Sequence, residues 1–286
     1  MKKLFSILLL PFIFGVTFAQ TKSLQYKDVK RKYIIYTPKN FDVNKSYPIV
    51  FNFHGGGMTA AEQMLYTKMN HTADKHGFIV VYPKGIKEDW NVGFEMSYKD
   101  GTDDIGFVDA LLTQIEKDFK IDSKKVFATG LSRGGFFCHR IAAELPHRFS
   151  AIATIGATLP DSVAIHNPNK KEVGVLMVHG KADKVVNFDG KPKAYYSALN
   201  SYKYWKRNSF SIETKKTIDN VPNDDTSIEI LKAKNNKKSI VLISIENGGH
   251  TWPGADDFNI GLPIGKTSKE LDINEYMWNF FDKENN

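Results

Sequence analysis

Short apolar runs, rich in β-branched and aromatic residues, constrain the fold of this chain more than any other sequence feature. The runs are Tyr33–Tyr36, Ile49–His54, Phe78–Tyr82, Val126–Thr129, Ala151–Ile155, Val173–Val178 and Ile240–Ile245. Several of them are apolar at consecutive positions, which is typical of strands buried on both faces of a mostly parallel sheet. Each run therefore predicts a strand.

Helical patterns lie between the predicted strands. Ala60–His76 follows the second strand, and Gly134–Leu145 follows the fourth. Between the third and fourth strands, apolar residues recur at spacings of three and four positions, as on one face of a helix. These are Ile105, Val108, Leu112, Ile115 and Phe119. Alternating strands and helices predict an α/β fold, in which a mostly parallel central sheet carries helices on both faces.

Length and composition indicate one large domain. Folds of the α/β class often run to about 250 residues as a single unit, and this chain has 286. Hydrophobic residues make up 42% of the chain, which is enough for a full core and excludes global disorder. The sequence shows no repeat and no Pro/Gly/Ser-rich linker, and the polar stretch Asn220–Asp225 is short enough for a surface loop. We expect a single domain over residues 20–286.

The N-terminus has the pattern of a secretory signal peptide. Lys2 and Lys3 form a basic start, an apolar run extends over residues 4–18, and Thr17-Phe18-Ala19 supplies the small residues of a cleavage site. We expect cleavage before Gln20, so that residues 1–19 are the signal and the mature protein is periplasmic or secreted. A membrane anchor would need about 20 apolar residues, which this run and all later segments lack.

Charge and cysteine content exclude two further classes. The formal charge is +7, but the lysines are scattered through predicted loops and helix surfaces rather than clustered, so no nucleic-acid partner is expected. The single cysteine, Cys138, cannot form an internal disulfide and is expected to be a small buried residue. No HExxH pattern or Cys/His set is present, so we expect neither a metal nor another cofactor.

The strongest local motif is Gly130-Leu131-Ser132-Arg133-Gly134, which fits G-x-S-x-G and lies between a predicted strand and a predicted helix. In that context the serine occupies a sharp, strained turn, and the two glycines prevent collisions with the neighbouring strand and helix. Ser132 is the candidate nucleophile, and the N–H of Arg133 is a candidate oxyanion donor. The alternative is a chance match in which Ser132 caps a helix.

A second glycine motif supplies the other half of the predicted oxyanion hole. His54-Gly55-Gly56-Gly57 follows the second strand, where backbone N–H groups without Cβ obstruction can turn into a site. We expect one donor from Gly55 or Gly56, and the sequence leaves open which. In sites built on a G-x-S-x-G turn of this kind, the base follows the nucleophile in the chain. His54 precedes Ser132, so we expect it to brace the glycine loop rather than to act as the base.

The candidate acid and base follow the last two predicted strands. Asp183 is the first acid after Val173–Val178, with Asp189 as the fallback, and its alternative role is that of a turn residue. His250 follows two glycines after Ile240–Ile245, so a tight turn can aim its imidazole at Ser132. These three residues predict nucleophilic catalysis in which a histidine activates the serine and an aspartate orients the histidine.

Taken together, these motifs resemble those of the polyhydroxybutyrate depolymerase and feruloyl esterase group, which includes enzymes of carbohydrate esterase family one. The resemblance runs from about Tyr33 to Asn279. It is carried by H-G-G-G at 54–57, D-D-I-G-F at 103–107, G-L-S-R-G-G at 130–135, H-G-K-A-D at 179–183 and G-H-T-W-P-G at 249–254. The chain departs from the group at Arg133, where many members carry Asn, and in having too few cysteines for a disulfide.

The resemblance implies an α/β-hydrolase fold and a secreted serine esterase whose triad is Ser132, Asp183 and His250. Feruloyl or acetyl esters on plant polysaccharide are the favoured substrates, and polyhydroxyalkanoates are the second choice. A serine peptidase on the same fold and a binding protein with a decayed site are the competing functions. The oligomeric state stays open.

Two tryptophans near the motifs are candidate substrate contacts. Trp90 lies in a segment that resembles a loop at the edge of the active site in the group, and Trp252 follows the candidate base by two residues. Either could form an aromatic wall, and packing in the core is the alternative for both. Of Asp103 and Asp104, one is expected to cap the following helix.

Overall fold

One ten-stranded sheet organises the chain in a computed structural model, which describes residues 18–167, 172–207, 212–222, 224–235, 237–256 and 264–284. The strands are β1 (Ala19–Tyr26), β2 (Val29–Tyr36), β3 (Tyr47–Phe53), β4 (Ile79–Pro83), β5 (Ile121–Leu131), β6 (Ala151–Ile155), β7 (Gly174–Gly180), β8 (Ile212–Ile218), β9 (Ser227–Lys234) and β10 (Ser239–Glu246). Their order across the sheet is β1-β2-β4-β3-β5-β6-β7-β10-β9-β8.

The centre of the sheet is parallel and both of its margins are antiparallel. Strands β4, β3, β5, β6, β7 and β10 pair in parallel. The β1–β2 hairpin joins β4 antiparallel at one margin, and β9 and β8 extend β10 antiparallel at the other. The prediction of an α/β fold with a mostly parallel central sheet is confirmed.

Each predicted apolar run overlaps one of these strands, but β1, β8 and β9 were not predicted. The missed strands lie at the margins, where one or both faces meet solvent, so they carry polar residues and show no apolar run. At the strand ends, His54 lies just beyond β3, Phe78 just before β4 and Val173 just before β7. The predicted boundaries are wrong at those three residues.

Helices cover both faces of the sheet. They are α1 (Ala60–Thr67), α2 (Met69–His76), α3 (Asp104–Asp118), α4 (Arg133–Glu144), α5 (Asp161–His166), α6 (Ala198–Lys206) and α7 (Ile273–Phe281). Side chains of α3, α4 and α6 share one core cluster, and those of α1, α2 and α7 share the other. Consecutive residues of β3 alternate between them, with Ile49 and Phe51 in the first cluster and Val50 in the second.

The predicted helix Ala60–His76 is two helices. Lys68 takes a left-handed conformation with φ of 49° and donates its N–H to the Met64 carbonyl, which ends α1. Thr59 caps the start of α1 in a capping box with Glu62. The break turns the chain so that α1 and α2 both cover the same face of the sheet, a change that the apolar periodicity does not reveal.

Several sequence predictions fall at the limits of the described residues. The predicted signal peptide lies mostly outside them, in residues 1–17, and Ala19 already belongs to β1. Asn220–Asp225 joins β8 to β9 as predicted for a loop, with residue 223 outside the described part. No helix in the described part is both long enough and apolar enough to cross a bilayer.

A buried ion pair links the β2 margin to the start of α3. The Arg31 guanidinium contacts Asp104 Oδ1 at 2.8 Å, and both side chains are almost fully buried. Asp104 Oδ2 also accepts the N–H of Asn91 at 2.8 Å. Burial raises the pKa of the Asp104 carboxyl, and the nearby guanidinium opposes that rise. Asp103, its neighbour, caps α3 by accepting the Gly106 N–H, as the sequence predicted for one of the two aspartates.

Removing the cation of this pair should destabilise the fold. Arg31→Gln leaves the Asp104 carboxylate buried without its counter-charge, so we expect a loss of about 3 kcal/mol or more in the free energy of unfolding. Lys27→Gln is the matched control, because it removes a cation from the adjacent but exposed pair with Asp103, and its cost should stay below about 1 kcal/mol. Urea denaturation measures both, and equal costs would contradict the interpretation.

Candidate active site

Ser132 lies at the turn from β5 into α4, in a strained conformation. Its φ is 52° and its ψ is −119°, in a region that residues with a Cβ rarely adopt. The strain is imposed by the turn, since the Ser132 N–H donates to the Ile155 carbonyl at 2.8 Å while the next residue already begins the helix. The hydroxyl therefore projects at the carboxyl end of β5, as the G-x-S-x-G motif predicts.

The two glycines of the motif are needed because the backbone passes too close for a side chain. A Cβ at Gly134 would lie 2.3 Å from the Phe53 carbonyl oxygen, and a Cβ at Gly130 would lie 2.5 Å from the Gly134 carbonyl carbon. Both distances are far below van der Waals contact. The predicted collision with the neighbouring strand and helix is confirmed.

The glycine loop after β3 lies directly against the Ser132 turn. A Cβ at Gly55 would be 3.6 Å from the Ser132 Cβ, and one at Gly56 would be 3.6 Å from the Arg133 Cβ. Within the described residues, the N–H groups of Gly55, Gly56 and Arg133 have no hydrogen-bond partner. The residues that carry the three predicted oxyanion donors thus lie next to the serine, and the structure leaves open whether Gly55 or Gly56 supplies the N–H.

His54 holds the glycine loop in place, which is the role that the sequence assigned to it. Its Nδ1 contacts the Gly55 carbonyl at 2.8 Å, and its Nε2 accepts the Gly85 N–H at 2.9 Å. The second bond requires an unprotonated Nε2, so the ring is neutral with its proton on Nδ1. Burial lowers the pKa of His54 in agreement with this state.

Asp183 and His250 meet at the carboxyl ends of β7 and β10. The His250 Nδ1 lies 2.6 Å from Asp183 Oδ2, and the other carboxylate oxygen accepts the N–H groups of Val185 and Val186, each at 2.8 Å. The carboxylate is fully buried. Asp189, the fallback acid, is exposed and stands outside this pair. The sequence-predicted acid and base are therefore neighbours in the structure.

The imidazole of His250 packs against Gly156. Gly156 directly follows Ile155, whose carbonyl accepts the Ser132 N–H. Gly156 has a φ of 58°, and a Cβ there would lie 3.0 Å from the His250 Nδ1 and Cε1. The structure thus brings the three candidate residues to one end of the sheet. Within the described part of the chain, the Ser132 hydroxyl makes no hydrogen bond, and hydrogen bonds at catalytic serines often tighten only when substrate binds.

His179 is a site residue that the sequence analysis did not single out. Its Nε2 lies 2.8 Å from the Val186 carbonyl, and its ring is 3.6 Å from Asp183 Oδ2. Burial lowers the pKa of His179. The ring is therefore neutral and donates from Nε2, which braces the loop whose N–H groups bind Asp183. Its place in the H-G-K-A-D motif, four residues before the acid, was the available signal.

Trp90 and Trp252 are buried and do not line the cavity at Ser132, which contradicts their prediction as substrate contacts. Each side chain has only 1% of its surface exposed. The Trp90 indole donates to the His54 carbonyl and packs on Phe53, and the Trp252 indole donates to Asn274. Both rings are packed in the core, which is the alternative that the sequence left open. The large apolar surface of tryptophan favours burial once its N–H has a hydrogen-bond partner.

A cavity of about 420 Å³ opens at Ser132. Its walls include three aromatic rings, Phe94, Phe136 and Tyr195, whose centroids lie 5.1 to 5.8 Å apart. Gly56 and Arg133, which carry two of the candidate oxyanion donors, also line it. The sequence analysis missed these rings, since they come from three separate segments.

Among the described residues, no three His, Cys, Asp or Glu side chains are grouped so that they could hold a metal ion. The arrangement of hydroxyl, imidazole, carboxylate and free N–H groups can perform acyl transfer without one.

Comparison with known proteins identifies the family of the chain. The model of a family described as putative esterase matches residues 25–238. The putative esterase NocK of Nocardia uniformis subsp. tsuyamanensis is 27% identical over 78% of this chain and 71% of its own length. A probable feruloyl esterase C of Aspergillus oryzae is 30% identical over 56% of this chain. The chain spans 57% of the length of that relative.

A solved structure has the same fold. An acetyl xylan esterase from Aspergillus awamori superimposes with a TM-score of 0.65 over 92% of this chain and 99% of that protein, at 16% sequence identity. At that identity the likeness concerns the fold alone.

The backbone strain at Ser132 predicts that a glycine variant is more stable than an alanine variant at this position. Ser132→Gly removes the Cβ that the positive φ disfavours, so it should be about 1 kcal/mol more stable than Ser132→Ala, after allowing for the greater chain entropy of glycine. At Ser162, within α5, the order should reverse by a similar amount, because glycine is unfavourable in a helix. Urea denaturation of the four variants checks this, and the same order at both sites would contradict the strain.

Proposed function

Because the chain belongs to the putative esterase family and is a carboxylic ester hydrolase, we propose that it acts through an acyl-enzyme on Ser132. The observation that carries the proposal is the 2.6 Å contact between His250 Nδ1 and a fully buried Asp183 carboxylate, beside a strained serine. This geometry leaves the Nε2 of His250 free to act as base, because Nδ1 carries the proton that Asp183 accepts.

The proposed reaction begins when His250 Nε2 takes the proton of the Ser132 hydroxyl and the serine oxygen attacks the ester carbonyl carbon. The oxyanion that forms accepts hydrogen bonds from the Arg133 N–H and from the N–H of Gly55 or Gly56. His250 then gives its proton to the leaving alcohol, and an acyl-serine remains. Water, deprotonated by His250, attacks that acyl group, the bond to the serine oxygen breaks, and the imidazolium returns its proton to that oxygen as the acid is released. Asp183 stabilises the imidazolium in both halves.

We propose feruloyl or acetyl esters on plant polysaccharide as the substrates. The probable feruloyl esterase C and a second relative, named bifunctional acetylxylan esterase/xylanase, support this class. Within it, the aromatic rings of the cavity favour a feruloyl group, because an aryl acyl chain could stack on Phe94, Phe136 or Tyr195, whereas an acetyl group leaves most of the cavity empty. Polyhydroxyalkanoate is the alternative polymer.

The N-terminal pattern supports a further proposal, that the protein is exported. Residues 1–19 would be removed as a signal peptide, and residues 20–286 would form a single catalytic domain. Export would bring the enzyme to a polysaccharide substrate, which lies outside the cell. Mass determination of the protein recovered after expression with its leader tests the cleavage before Gln20.

Loss of the nucleophile or of the acid tests the mechanism. Ser132→Ala should abolish hydrolysis of p-nitrophenyl acetate and labelling by a fluorophosphonate, since both need the serine oxygen. Asp183→Asn should lower kcat by roughly a thousandfold or more, because the amide favours the wrong tautomer of His250. Asp189→Asn, an exposed carboxylate of the following loop, is the matched control and should keep wild-type kcat. Full labelling of Ser132→Ala would overturn the assignment.

Substrate choice is tested on the wild-type enzyme. Methyl ferulate, acetylated xylan and polyhydroxybutyrate are supplied separately, and the released acid is measured. We expect the highest kcat/KM for methyl ferulate because of the aromatic walls. Faster release of hydroxybutyrate than of ferulate or acetate would favour the polyhydroxyalkanoate alternative.

A further inference from the structure

We propose that the Arg133 side chain links the catalytic turn to two carboxylates with separate tasks. Asp89 is a positioning residue for the oxyanion donors, and Glu95 holds the Phe94 wall of the cavity and thereby supports selectivity for aryl acyl groups. This inference rests on the function proposed above and adds residues that the triad does not include.

The guanidinium of Arg133 is bound on two sides. Its Nε and Nη2 contact the two oxygens of Asp89 at 2.7 and 3.3 Å, and Nη2 also contacts Glu95 Oε2 at 2.5 Å. The Arg133 side chain is 15% exposed, although it follows the serine at the mouth of the site. A planar guanidinium with a fork of donors can serve two carboxylates at once, which a single ammonium group would do less well.

The Asp89 arm connects the two halves of the oxyanion hole. Asp89 ends a short turn that begins near Gly85, and a bridge between Ile86 and Asp89 closes it. The Glu88 carbonyl in this turn accepts the Gly57 N–H at 2.9 Å. The turn therefore contacts the glycine loop through its backbone and Arg133 through its carboxylate.

Two further bonds make this turn rigid. The Gly85 N–H donates to His54, and the Trp90 N–H donates to Asp89 Oδ1 at 2.8 Å. Oxyanion donors stabilise a transition state only when they are held at the position where charge develops. Asp89 fixes the side chain of Arg133, whose N–H is one of the oxyanion donors. Asp89 belongs to the turn that also holds the glycine loop, which supplies the other donor.

The Glu95 arm acts on the cavity wall instead. The Phe94 ring lies 5.0 Å from the Arg133 guanidinium and packs edge-on against Phe136. The backbone on either side is left-handed, with φ of 84° at Gly93 and 62° at Glu95, so the segment turns sharply around the ring. Glu95 is 66% exposed and Asp89 is 31% exposed. The Glu95 contact is therefore the more open to water and salt.

These differences predict distinct kinetic effects. Asp89→Asn should lower kcat about tenfold on both methyl ferulate and p-nitrophenyl acetate, because both reactions pass through the same oxyanion. Glu95→Gln should lower kcat/KM for methyl ferulate about threefold relative to kcat/KM for p-nitrophenyl acetate. The change should come from a higher KM for methyl ferulate, and its size is that expected for the loss of an exposed ion pair. Asp100→Asn, which removes an exposed carboxylate of the same loop that contacts Ser97, is the matched control.

Two readouts distinguish these roles from a general loss of structure. The Asp89→Glu variant, which restores the charge, should recover part of the kcat lost in Asp89→Asn. Raising NaCl from about 0.01 to 0.5 M should lower the selectivity ratio of the wild type and leave that of Glu95→Gln unchanged, because salt screens an exposed pair. Thermal unfolding confirms that each variant is folded at the assay temperature.

The proposal is overturned if Asp89→Asn does not lower kcat on both esters, or if the Glu95→Gln ratio equals that of the wild type. It is also overturned if the wild-type ratio does not respond to salt. Failure of the proposed function would look different, since the wild type itself would then hydrolyse neither ester and would not be labelled at Ser132.

Discussion

The close approach of the β5–α4 turn to the end of β3 is the constraint on which the rest of the site depends. Gly130 and Gly134 allow the backbone of the turn to pass against Phe53, where any side chain would collide. Ser132 takes its positive φ within this turn, and Arg133 lies next to the glycine loop. The candidate nucleophile and the candidate oxyanion donors are thus parts of one packing arrangement, and a change in that contact would disturb both together.

Neutral buried histidines secure the loops around this centre. His54 fixes the glycine loop, and His179 fixes the loop that carries Asp183. Burial lowers the pKa of each ring. His179 lies 3.6 Å from the Asp183 carboxylate, and because it is neutral it adds no positive charge that would compete with His250 there. The protein therefore uses three histidines at one end of the sheet in different ways, and only the ring that pairs with the carboxylate at 2.6 Å is suited to move a proton.

The positive charge of Arg133, next to the candidate nucleophile, is paired with carboxylates of the protein. Arg133 would place a cation beside the serine, but two carboxylates bind its guanidinium and a phenyl ring covers one side of it. The side chain thus serves as a connection between the catalytic turn and the cavity wall. In the roles proposed above, Arg133 influences both the rate of the chemical step and the choice of acyl group. Asp89 carries the first effect and Glu95 carries the second.

The sequence by itself determined the fold class, the positions of the central strands and the residues of the predicted triad. These are local signals, since a strand buried on both faces needs a continuous apolar run and a strained turn needs glycines at set positions. The same reasoning could not find β1, β8 and β9, because strands at the sheet margins meet solvent and carry polar residues.

Only the tertiary structure decided which side chains surround the serine. Trp90 and Trp252 are near the motifs in sequence but buried, whereas Phe94, Phe136 and Tyr195 converge from separate segments to line the cavity. The break of the first helix at Lys68 and the two carboxylates at Arg133 are also invisible in a linear pattern. The physical reason is that burial and charge pairing depend on neighbours distant in sequence, and those neighbours are set only when the sheet has assembled.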